Sequence, residues 1–163
     1  MKKFSFFFLT LLLVAATGCK KSDDSPTEEP KDIDKSANLL ATGSSANDIL
    51  SNNEFDKLLV EIAYVEGFRP AESAMADFVA YLKRHTFKQN VEVVYKSLPS
   101  PDEEDLELQE IADLETENRT AYNNGSTLAI YIYFADAPSD EDDEDEGLVT
   151  LGAVYRNTSM VIY

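Results

Sequence analysis

Thr127-Leu128-Ala129-Ile130-Tyr131-Ile132-Tyr133-Phe134 is the stretch that decides the fold. Its residues are β-branched, aromatic or otherwise apolar at both alternating positions, with no charge, glycine or proline among them. The length suits a strand rather than a helix, and two apolar faces need cover on both sides, as in a parallel sheet. The stretch is therefore expected to be the central parallel strand.

Upstream, Asn123-Asn124-Gly125 stops the preceding element. That element reads as an acidic helix from about Glu104 to Tyr122, with Leu108, Ile111, Leu114 and Ala121 on its apolar side. Asp102-Glu103-Glu104-Asp105 stands at its start, where the helix dipole and free N–H groups favour negative charge. Further back, Val91 to Leu98 reads as a strand ended by Pro99, and Ala71 to His85 as a helix with Met75, Phe78, Val79 and Leu82 at helical spacing. Leu58 to Val65 is a second doubly apolar strand, closed by Gly67 and Pro70, so strand, helix and strand make a βαβ unit. Ser45-Ala46-Asn47-Asp48 fits a capping box that opens a short helix through Leu50.

Downstream, Pro138 and an acidic run lead to a strand from Leu148 to Tyr155, and Asn157-Thr158 turns into a last strand, Ser159 to Tyr163. The whole reads as one α/β domain over residues 45–163. Two long helices do not cover both faces of five strands, so part of one face is expected to stay open to water. The domain accordingly reads as truncated, with a gene fragment, a premature stop and a partial chain all open as explanations.

Composition narrows the function. The 163 residues carry 14 Lys+Arg against 31 Asp+Glu, a formal charge of −17, which argues against nucleic acid as a partner because phosphate binding needs neutralising cations. Nine acids fall between Asp102 and Glu117 and seven between Asp140 and Glu146. One Cys excludes an internal disulfide, and one His excludes any metal site built on two histidines. No Gly-rich phosphate loop is present, and the lone Cys and lone His leave no nucleophilic triad.

Residues 1–18 read as a secretory signal: Lys2 and Lys3, then an apolar run from Phe4 to Ala16 too short for a ~30 Å hydrocarbon layer that needs about 20 helical residues. Cys19 follows Gly18 directly and resembles the lipid-modified cysteine of bacterial lipoproteins, although Ala16 stands where a lipobox usually has Leu. Lys20-Lys21-Ser22-Asp23-Asp24 resembles the export tag of surface lipoproteins in some Gram-negative bacteria. The resemblance implies a lipid anchor in the outer membrane with the mature chain facing outward. A plain secretion signal with an incidental Cys is the competing reading. Residues 19–44, rich in Pro, Lys, Ser and acids, read as a flexible acidic tether.

Three candidate sites have bland alternatives. Asp142, Glu144, Glu146 and Gly147 fit the first half of an EF-hand spacing, but Ala153 stands where a bidentate Glu is needed, so a solvated hairpin loop is preferred to a weak Ca²⁺ site. The acids at 102–105 have no apolar surroundings to raise a pKa for acid/base work. His85 sits among Lys83, Arg84 and Lys88 and reads as a surface or capping residue.

Ser44-Ser45-Ala46-Asn47-Asp48-Ile49-Leu50, Glu61-Ile62-Ala63-Tyr64-Val65-Glu66-Gly67, Ile111-Ala112-Asp113, Tyr133-Phe134-Ala135-Asp136 and Leu151-Gly152-Ala153-Val154-Tyr155-Arg156-Asn157-Thr158-Ser159 share one likeness. Together they resemble the N-terminal half of bacterial membrane metalloproteases, surface lipoproteins with a metzincin-like zinc peptidase domain. The resemblance implies a mostly parallel sheet with crossover helices, in which Leu148 to Tyr155 is an antiparallel edge strand. In such proteins that strand lines the cleft and pairs with an extended substrate peptide, and Gly152, Ala153 and Val154 would be its contact residues. The small side chains of Gly152 and Ala153 would let a second backbone approach. It also implies Zn²⁺ on an HExxH helix in the complete family member, and no such motif stands in these 163 residues. No catalytic or metal-ligating residue is therefore assigned to the chain. The alternative is a non-catalytic surface lipoprotein that binds protein or glycan, with Tyr64, Tyr81, Tyr95, Tyr131, Tyr133 and Tyr155 as possible contacts.

Overall fold

The computed structural model describes residues 33–163 apart from Gln89 and Glu144. The leader, Cys19 and the first part of the expected tether lie outside the described residues. Five strands, β1 (Lys57–Val65), β2 (Asn90–Leu98), β3 (Thr127–Phe134), β4 (Gly152–Arg156) and β5 (Ser159–Ile162), form a single sheet in the order β2-β1-β3-β5-β4. All neighbours are parallel except β4 and β5. The Thr127–Phe134 stretch is the middle strand, and its interior positions are buried on both faces. The chain is thus an α/β protein with a mostly parallel sheet and an antiparallel edge.

Strand alternation sorts the side chains into two cores. Leu58, Val60 and Ile62 of β1 with Leu128, Ile130 and Ile132 of β3 point to one face and meet Met75 and Leu82 of α2 (Glu72–His85). Ala63, Tyr131, Tyr133 and Val161 point to the other and meet Ile111 of α3 (Leu108–Asn118). On the α2 face, Met160 and Ile162 of β5 are only half-buried and Val154 is 49% exposed. No described helix covers that end, so part of one face is open, as the element count implies. Among the described residues no helix is long and apolar enough to cross a membrane.

Three expected boundaries move, each because a backbone group finds another partner. The acidic helix spans Leu108–Asn118 rather than Glu104 to Tyr122. Its C-terminal extension is lost to Glu61, a carboxylate buried in β1, which accepts the N–H groups of Thr120 (2.9 Å) and Ala121 (2.6 Å). Its start, expected at about Glu104, is fixed at Leu108 by a capping box between Glu107 and Glu110, and Asp102–Asp105 precede it. The edge strand loses Leu148 to Leu151, because Leu148 pairs with Asp143 and the Thr150 N–H donates to Asp142 Oδ1 at 2.6 Å.

The short helix α1 (Ala46–Leu50) forms, but Ser45 is not its side-chain cap. Its Oγ accepts instead from Asn157 Nδ2. Described residues before 45 also belong to the fold. A 3₁₀ turn at Ser36–Leu39 buries Asn38 completely, with Nδ2 donating to the Ala129 carbonyl (3.1 Å) and to Thr158 Oγ1 (2.8 Å). The end of the expected tether is therefore part of the fold. It is held by side-chain amides, which an apolar count does not register.

Candidate functional sheet edge and groove

The free side of β4 is built by the alternation of an antiparallel ladder. The Leu151 carbonyl accepts the Tyr163 N–H at 3.2 Å, which turns the N–H and C=O of Gly152 and Val154 away from β5. β4 ends the strand order, so these groups line an unpaired edge. A β-bulge between Val154 and Arg156 closes the regular pairing.

The three expected edge residues do different things. A Cβ on Gly152 would stand 2.7 Å from the Val161 carbonyl oxygen and 3.2 Å from Ile162 Cδ1. Its missing side chain thus serves the close approach of the chain's own β5. Ala153 packs toward the α3-side core, and Val154 presents its side chain on the open face.

Beside this edge runs an apolar groove. A shallow hollow of about 300 Å³ follows Gly152, Val154, Met160 and Ile162. Through Leu151 and Ile162 it meets a deeper cleft of about 400 Å³ at the C-terminal ends of β3 and β5, walled by Phe68, Phe134, Val149, Leu151 and Ile162. Phe68, Val149 and Leu151 are exposed at 50%, 69% and 77%, an apolar surface that a strand-edge ligand would cover. Asp136 lines the same cleft, and its Oδ1 is buried without a hydrogen-bond partner. Burial first, then the charge of Asp136, pushes the Tyr133 phenol up to about 12.

A second polar group lies under the sheet. Glu115 and Arg119, both buried, pair at 2.7 Å; Glu115 also accepts from Ser159 Oγ (2.6 Å) and Arg156 Nη1 (3.0 Å). The Arg119 guanidinium further donates to the carbonyls of Ala121 and Ala129. Every one of these partners lies within the fold, so the cluster is structural.

Zinc, which the resemblance implies for the complete family member, finds no matching donors among the described residues. His85 ends α2, its ring 4.3 Å from that of Tyr81. Among the described residues no group of three or more His, Cys, Asp or Glu side chains could hold a metal, so these residues do not fit a zinc site. In the acidic loop Asp143 Oδ1 accepts the N–H groups of Asp145 and Glu146, which ties its carboxylate to a local turn.

Phe68 and Asp136 carried no role in the sequence reading. Asp136 stands two residues past β3, where open parallel sheets usually place ligands, and that position was the available signal. Comparison with protein-family models, curated proteins and solved structures gave no match. Fold and site together define an α/β protein with an open antiparallel edge flanked by an apolar groove.

Proposed function

We propose that the chain is the peptide-binding, sheet-edge part of a surface-anchored, metallopeptidase-like lipoprotein. One observation carries the reading: an unpaired edge strand beside a solvent-open apolar groove, the arrangement that lets an extended peptide add as a further strand. The order β1, α2, β2, α3, β3, antiparallel β4 and parallel β5 agrees with what the family resemblance implies, and so supports it. In this reading Cys19 carries the lipid that anchors the chain in an outer membrane.

The reading gives these residues binding and no hydrolytic step. Zinc and the base that acts with it would come from sequence other than these 163 residues. A glycan-binding module is less well supported, because Tyr131 and Tyr133 are buried and Arg69 lies 4.5 Å from the Tyr95 ring centre.

Amide exchange on the full-length chain with an extended peptide tests the edge. Protection at Gly152 and Val154, lost in Val154→Pro, is expected, since proline removes the outward N–H at a position where an edge strand tolerates it. Unchanged exchange at both amides, or chelator-sensitive casein cleavage by the chain alone, would sink the proposal. For the anchor, a diacylglyceryl adduct on Cys19 is expected by mass spectrometry, and a free thiol in membrane fractions contradicts it.

A further inference from the structure

We infer that the cleft at the C-terminal ends of β3 and β5 is a specificity pocket for a lysine or arginine side chain of the peptide lying on β4. The inference rests on the edge-strand reading for the peptide, but the pocket itself stands on its own chemistry. Its walls are Phe68, Phe134, Leu151 and Ile162, enough apolar surface to take the methylene stem of a long side chain. Its volume of about 400 Å³ exceeds what such a side chain needs.

Asp136 supplies the polar end. Asp136 Oδ1 is shielded from water and accepts no hydrogen bond from the described residues. That oxygen is closed to a ligand as it is to water, so an ammonium or guanidinium in the cleft would meet the half-buried carboxylate from its solvent side and balance its charge. Asp142 lines the same cleft, but its Oδ1 already accepts the Thr150 N–H, whereas Asp136 Oδ1 accepts nothing from the described residues.

The surrounding field has the same sign. Asp140, Glu141, Asp143, Asp145 and Glu146 follow on the loop beside the cleft, and the whole chain carries −17. Such a field draws cations and repels acidic peptides. The groove's continuity through Leu151 and Ile162 connects the pocket to the free edge, so a residue of a strand-paired peptide can reach it.

The test compares three extended, otherwise identical peptides bearing lysine, norleucine or glutamate at one position, titrated against the full-length chain by fluorescence anisotropy. The lysine peptide is expected to bind about tenfold more tightly than the norleucine peptide, and the glutamate peptide most weakly. In Asp136→Asn the lysine preference over norleucine should fall to near unity. N-acetyl-lysine methylamide, followed by chemical shifts at Asp136, Leu151 and Ile162, reads the pocket without a strand-paired peptide. Equal binding of lysine and norleucine peptides overturns the pocket and leaves the edge standing. Shifts with the capped lysine but no protection at Gly152 and Val154 uphold the pocket and overturn the edge. No shift with the capped lysine and no lysine preference overturns the pocket even if Asp136→Asn fails to fold, because both measurements use the unaltered chain.

Discussion

Ser45 and Asn157, 112 residues apart, hold each other by a reciprocal pair of hydrogen bonds: the Ser45 N–H donates to Asn157 Oδ1 at 2.7 Å, and Asn157 Nδ2 donates to Ser45 Oγ at 2.7 Å. Asn157 Nδ2 also donates to the Ala37 carbonyl, and its own N–H donates to the Leu40 carbonyl. The turn between β4 and β5 therefore fastens the N-terminal segment to the sheet. Asn157→Ala leaves buried groups without partners at both ends and is expected to cost about 2–3 kcal/mol. A shift of the urea midpoint, with new proteolytic cuts between residues 36 and 44, is the expected outcome. An unchanged cleavage pattern would show that the segment is held by other contacts.

The Glu115 cluster should respond unequally to its two arginines. Arg119 is fully buried at its side chain, whereas the Arg156 side chain is 21% exposed. Removing Arg119 takes the fully buried cation from Glu115, which keeps Arg156 and Ser159, and the donor from the Ala121 carbonyl, so Arg119→Met should cost about 2–3 kcal/mol. Arg156→Met leaves Glu115 paired with Arg119 and Ser159 and should cost about 1 kcal/mol. Urea unfolding of both variants checks the order, and equal losses would contradict it.

What the sequence made legible follows from which force holds each part. β1, β3 and α2 stand within a residue or so of their expected limits, because apolar periodicity and β-propensity are local properties that burial then rewards. The C-terminal limit of α3, the place of Ser45 and the packing of Asn38 were not legible. They depend on Glu61, Asn157 and Thr158 capturing polar groups from 59 to 120 residues away. The edge strand was legible through resemblance, but the reason for Gly152 was not, since the approach of Val161 is a tertiary fact.

That approach makes Gly152→Ala informative. The added Cβ meets a backbone oxygen at 2.7 Å, which rotamer changes do not relieve, so β4 must shift away from β5. A loss of about 1–3 kcal/mol is expected. Cross-strand nuclear Overhauser contacts between residues 152 and 162 should weaken together with peptide protection at Val154. Stability and contacts like those of the unaltered chain would mean that the edge has more play than the packing indicates.

Alkaline pH tests the tyrosines. Burial holds the phenols of Tyr131, Tyr133, Tyr155 and Tyr163 above their ordinary 10.0, with Tyr133 at about 12. Above pH 10 the folded chain keeps these protons while the unfolded chain releases them, so the stability they contribute is whole below pH 10 and falls as pH rises through the folded values. Lys88 acts in the other direction: buried, with Nζ donating to the carbonyls of Ser51 and Phe55, it has a pKa lowered from 10.5 by desolvation. Its folded form carries fewer protons than the unfolded chain between the lowered value and 10.5, so its contribution rises with pH there and is constant above. Urea midpoints taken between pH 10.5 and 12 isolate the tyrosines and should decline steeply. In Tyr133→Phe the decline should be shallower, and stability at pH 8 should not fall, because the hydroxyl removed is buried without a partner. A decline unchanged by that substitution would mean that Tyr133 reaches water in the folded state.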